Sequence, residues 1–117
     1  MVFLSNVSVS GQNHIPYPIP SSNILVETSA VFQETTPSNC DGKRAIHVHI
    51  NAQPKNDSFI CFANVTIYSL DHQSILGPYI VDCGETLSVD IDDREWGVLV
   101  RTTTPVEVSV CIDELYF

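Results

Sequence analysis

Apolar residues in this chain recur at every second position, and no stretch shows the three-to-four spacing of an amphipathic helix. Successive side chains of a strand point to opposite faces, so period two writes one buried face and one wet face. Ile46, Val48 and Ile50 alternate with His47 and His49. Leu87, Val89 and Ile91 alternate with Thr86, Ser88 and Asp90. Trp96, Val98 and Val100 form one inward set, and Val106, Val108, Val110 and Ile112 form another, opposite Glu107, Ser109, Cys111 and Asp113. Further strands are expected over Val2–Val9, over Ile24–Phe32 with Ile24, Val26, Ala30 and Phe32 inward, and briefly over Tyr79–Val81. Phe59–Leu70 is apolar on both faces and reads as a central strand covered on both sides. Turn clusters at 37–42, 51–58, 82–84 and 92–95 punctuate these runs. About eight short strands with frequent turns predict an all-β, two-sheet antiparallel sandwich of jelly-roll type.

The N-terminal part is set apart by prolines at 16, 18 and 20. Each fixes φ and removes an amide donor, so the stretch is extended and is excluded from the middle of a sheet. Residues 1–22 are accordingly expected to form a β arm on a proline-rich spacer, and residues 23–117 the sandwich domain. Val2, Phe3, Leu4, Val7 and Val9 are the arm residues fit to engage a neighbouring molecule.

The 117 residues carry 14 acidic against 5 basic side chains, a formal net charge of −9. Phosphate backbones are bound by clustered Lys and Arg, and Lys43, Arg44, Lys55, Arg94 and Arg101 are scattered. Nucleic acid is not an expected partner. No apolar run approaches the ~20 residues of a membrane-spanning helix, so membrane insertion is not expected either. Met1-Val-Phe-Leu-Ser-Asn lacks the basic and apolar regions of a classical signal peptide. A protein at the surface of a spore or virion would need none.

Four cysteines, at 40, 61, 83 and 111, contain no Cys-x-x-Cys pair, so a zinc knuckle is unsupported. Cys61 falls in an apolar strand and is expected as a buried, poorly nucleophilic thiol. Cys40 and Cys83 lie in turns, and Cys111 has outward parity, so these three are the disulfide candidates, within or between chains. Four cysteines permit three internal pairings.

His47-Val-His49 places two imidazoles on one strand face, as a metal site requires. Cupin metal sites follow such a pair with a carboxylate a few residues on, whereas here Ile-Asn-Ala-Gln-Pro-Lys follows. Two solvent-facing histidines and no cofactor are expected. Asp90, Asp92, Asp93 and Glu95 lack the glycine and spacing of a calcium loop and read as a solvated corner. Trp96 has core parity, leaving Tyr17 and Tyr79 as the aromatics a carbohydrate could use. Sequons at Asn6, Asn56 and Asn64 matter only in a secretory setting. No nucleophile elbow, phosphate loop or dinucleotide fingerprint is present, so the chain reads as non-enzymatic.

The second half, from Asn64-Val-Thr-Ile-Tyr68 through Tyr79-Ile-Val-Asp-Cys-Gly-Glu-Thr-Leu-Ser-Val-Asp90 to Val108-Ser-Val-Cys-Ile-Asp113, resembles the endospore appendage fibre subunits. The resemblance implies a small jelly roll that polymerises through an N-terminal arm and disulfides. Residues 1–39 hold no cysteine, so the arm here would act by non-covalent strand addition. The sequence thus leads to the expectation of a self-assembling extracellular subunit of a fibre, coat or particle surface. A carbohydrate- or surface-binding sandwich, of adhesin or viral decoration type, is the alternative.

Overall fold

A computed structural model describes residues 15–35, 43–53 and 60–114. The arm residues Val2, Phe3, Leu4, Val7 and Val9, and Cys40, lie outside the described residues.

Nine strands form two sheets, with no helix among the described residues: β1 Tyr17–Ile19, β2 Ser21–Val26, β3 Ser29–Glu34, β4 Arg44–Ala52, β5 Phe62–Ser69, β6 Ile75–Asp82, β7 Thr86–Ile91, β8 Trp96–Arg101 and β9 Val106–Glu114. The five-stranded sheet runs β1-β3-β8-β5-β6 and the four-stranded sheet β2-β9-β4-β7. From β2 onward the chain crosses between sheets at every step except the β5–β6 hairpin. That winding is the expected jelly roll. All pairings are antiparallel except β1 with β3.

The core follows from the alternation. Ile46, Val48 and Ile50 from β4 meet Val106, Val108 and Val110 from β9 on one layer. Ala63, Val65 and Ile67 from β5 meet Val98 and Val100 from β8 on the other, with Phe32 and Trp96 filling the space between. Each fully buried Val or Ile contributes roughly 1.5–3 kcal/mol relative to exposure.

Three expectations change. The single strand expected over Ile24–Phe32 is two strands in different sheets, broken at Glu27–Thr28. Ile24 and Val26 face the core from one layer, Ala30 and Phe32 from the other, so parity runs on unbroken across the corner. Within residues 17–22, assigned to the spacer, four are instead paired in the sandwich: Tyr17–Ile19 lies along β3, and Ser21 pairs with Val110. Pro18 sits on an edge strand, where a missing amide costs no ladder bond. β5 has sheet neighbours on both sides, but its outer face is open: Asn64 is exposed and Phe62 and Thr66 are partly exposed.

Glycine has a specific role at two places. Gly77 adopts φ 101°, and a Cβ there would come within 2.9 Å of the Val65 carbonyl, beside the register shift between Val65 and Ile67. Gly97 lies directly under the Tyr68 ring, where a Cβ would sit 2.6 Å from Cζ. The Tyr68 hydroxyl accepts a bond from Gln33 Nε2 at 3.1 Å, so the ring is laid flat across β8.

Candidate functional site

One side of the sandwich is left open. β6 ends one sheet and β7 the other, the two joined by the short turn at 83–85. Neither has a hydrogen-bonded strand on its outer side among the described residues. Leu76 and Tyr79 of β6, and Leu87 and Val89 of β7, pack on the core yet stay partly exposed at this opening. A cavity of about 580 Å³ lies between the far ends of the two strands, lined by Ser74, Leu76, Asp90, Ile91, Asp93 and Trp96 among others.

The corner after β7 is exposed at Asp92 and Asp93, as expected, and its charges are also tied to one another. Asp92 holds the Arg94 side chain through Nε bonds of 3.1 and 3.0 Å and an ion pair of 2.9 Å. It also accepts from Trp96 Nε1 at 3.2 Å. Arg94 reaches Ser74 Oγ at 3.0 Å and Asp71 at 3.6 Å, which ties the corner to the turn before β6. Its guanidinium lies 5.2 Å from the centre of the Trp96 ring, a cation–π distance.

Beneath the corner lies a pair the sequence reading did not single out. Arg44 and Glu34 form a two-point ion pair, with contacts of 2.8 and 3.3 Å and side chains only 4% and 10% exposed. Arg44 further donates to the Asp92 carbonyl at 3.1 and 2.9 Å and to the Arg94 carbonyl. Glu34 accepts the Trp96 backbone amide at 2.8 Å. Parity was the available signal: Arg44 shares the inward parity of Ile46 and Val48, and Glu34 that of Phe32.

The hydrogen bonds of Arg94, with lesser help from its amide and Trp96, hold the Asp92 carboxyl down at about 2, against an ordinary 3.8. A carboxyl depressed in the folded state contributes stability above its unfolded pKa, and that contribution is lost as pH falls through the folded value. Asp92→Asn should therefore lower the melting temperature near neutrality. The gap from the parent should close between roughly pH 4 and pH 2. Thermal melts across that range check it, and a gap independent of pH would contradict it.

The other residues singled out by sequence lie elsewhere. His47 and His49 share the outer face of the four-stranded sheet, as expected, but each is engaged. His47 contacts Ser88 Oγ at 2.8 Å and Asp113 at 3.0 Å; His49 contacts Thr86 Oγ1 at 2.7 Å and Asn51 Oδ1 at 3.1 Å. No metal-binding cluster of three or more ligands occurs among the described residues. Trp96 is buried, Tyr79 faces the core, and Tyr17 packs on Phe32 with ring centres 5.4 Å apart. These aromatics do not form one platform.

Cys83 is bonded to Cys61, across the mouth of the β5–β6 hairpin. Cys61, read from sequence as a buried free thiol, is thereby corrected: it lies one residue before β5, opposite Cys83. Cys111 is a free, exposed thiol on the outer face of the four-stranded sheet. Partial burial, and then the nearby Asp113, push its pKa above the ordinary thiol value.

No protein-family model matches this sequence, and comparison with curated proteins finds no similar one.

Proposed function

We propose that this protein is a non-enzymatic structural subunit that assembles with its own kind into an extracellular fibre, coat or particle surface. In this reading the segment Val2–Val9 of one copy adds as a strand to the β7 edge of the next. The observation that carries it is the character of the sheet edges. Open edges are normally blunted by proline, bulges, irregular backbone or brevity, because unpaired amides and carbonyls recruit other chains. β1 is three residues long and contains Pro18. β2 shifts register between Ser21 and Ile24 and holds Asn23 at φ 55°. β6 is interrupted by Gly77 and Pro78. β7 has none of these protections. Its six residues pair with β4 in unbroken register and contain neither glycine nor proline.

Strand addition draws affinity from backbone hydrogen bonds and specificity from alternate side chains. Phe3, Val7 and Val9 share one parity and match the partly exposed Leu87 and Val89 beside the opening. The Cys61–Cys83 bond suits an oxidising, extracellular setting.

Negative-stain electron microscopy of the purified protein should show filaments, rings or lattices. Deleting residues 1–15 should abolish them while leaving the β-rich circular dichroism spectrum intact. Equal assembly by the truncated form would exclude the arm, and dispersed particles from the full chain would exclude self-assembly.

A further inference from the structure

The two outer faces of the sandwich differ in the charge they carry. The four-stranded sheet turns Glu107, Asp113, Asp90, His47 and His49 outward, the ordinary dress of a solvated face. Among the outward strand positions of the five-stranded sheet there is one carboxylate, Asp82, and one guanidinium, Arg101, in a chain whose net charge is −9. Neither forms an ion pair among the described residues, where the ion pairs involve Arg44, His47 and Arg94. The rest of that face is apolar or neutral. Ile75 and Ile80 are 65% and 71% exposed, and Leu99, Phe62 and Val31 are partly exposed. A groove of about 390 Å³ runs across it, lined by Asn64, Thr66, Pro78, Leu99 and Arg101. Interface cores are depleted of charge in this manner, and scattered single hydrophobes do not need explanation whereas a clustered set does.

We propose that this face docks against the same face of a second copy of the chain, about a two-fold axis running along β5. The occupant follows from the charges. β8 and β6 flank β5, so Arg101 and Asp82 stand on opposite sides of that axis, near the same end of the sheet. A rotation about β5 sets Arg101 of one copy level with Ile80 of the other, with Asp82 one outward position further along β6 and within reach of the long Arg101 side chain, and the reverse, which makes the face self-complementary as an isologous contact requires. The same rotation sets Ile80 of the second copy beside Arg101 and Leu99, at the groove, and Ile75 over the Tyr68–Gly97 surface. Two chains of charge −9 repel one another at most other orientations, and here they meet through nearly neutral surfaces. The contact rests on the reading of the chain as a self-assembling subunit, but it uses neither the arm nor the β7 edge.

Sedimentation velocity of the full chain over a concentration series tests it, with Asp82→Arg, Arg101→Asp, the double reversal and Ile80→Glu. Each single reversal brings like charges within reach of one another and should weaken association about tenfold or more. The double reversal restores opposite pairs and should return to within about threefold of the parent. Ile80→Glu should weaken association as the single reversals do. Single reversals without effect, or a double reversal that fails to recover, would overturn the proposal and leave this face to a different partner. The arm is read separately. Charge-swap recovery in a protein whose assembly survives deletion of residues 1–15 would keep this contact and remove the arm. Loss of assembly on that deletion, without charge-swap recovery, would keep the arm and remove this contact.

Discussion

Glu34→Ala is expected to destabilise the fold by about 3–5 kcal/mol, the range for removing one partner of a buried ion pair. The cost arises on the partner's side. Arg44 is 4% exposed, and its guanidinium would keep its charge while losing the two carboxylate contacts that compensate burial. Two neutral carbonyls, of Asp92 and Arg94, would remain as its partners. The Trp96 amide would lose its acceptor as well. The sign of the pair effect is tested by Glu34→Leu with Arg44→Met, which removes both charges together. A buried pair exchanged for apolar groups of similar size is often close to neutral. The double variant should therefore recover at least half of the loss, short of full recovery because Arg44 also anchors the carbonyls of the corner at 92–94. Denaturant unfolding of the three proteins decides it. A Glu34→Ala variant within about 1 kcal/mol of the parent would show that the pair does not hold the corner.

The legibility of this chain divides along the same physical line. Wherever one strand buries one face, alternation states the result, and Ile46, Val48, Ile50, Trp96, Val98, Val100, Val106, Val108 and Val110 all lie in the core as parity requires. Parity is silent about which layer a residue faces from. That is why Ile24–Phe32 reads as one strand although a sheet-to-sheet corner divides it. It is silent, too, about pairing across the chain. Arg44 and Glu34 have inward parity and opposite charge, but nothing local brings β3 and β4, in different sheets, to one point. The open side between β6 and β7 was out of reach for the same reason, since an edge is defined by strand order and not by composition. Gly77-Pro78 hid the length of β6, because that dipeptide marks a turn in most settings, and here it marks a bulged edge.

Cys61–Cys83 should matter nearly as much as the buried pair, and in a different place. The bond closes a loop of sequence separation 22, for which chain entropy gives about 3 kcal/mol of stabilisation. Cys61→Ser with Cys83→Ser is therefore expected to lower the unfolding free energy by about 3 kcal/mol, and reduction of the parent should reproduce the shift. The position of the bond adds a local consequence. Register runs Ala63 with Val81 and Phe62 with Asp82, so the next opposed pair is Cys61 with Cys83, and the Cys83 amide donates to the Cys61 carbonyl at 3.0 Å. β6 has a sheet neighbour on one side only and is weakened midway by Gly77-Pro78. The disulfide is a covalent tie at the end of that strand nearest β7. Just beyond it, Gly84 donates to the Ile50 carbonyl and Ile50 to that of Glu85, fastening the turn to β4. Hydrogen exchange in the double serine variant should consequently rise most over 75–85 and least in the β4–β9 pair, because edge elements open at lower free energy than central ones. Uniform loss of protection would assign the bond a purely global role. An unchanged unfolding midpoint would deny it any role in stability, leaving the β5–β6 hairpin to be held by its ladder and by Ala63, Val65, Leu76 and Val81 alone.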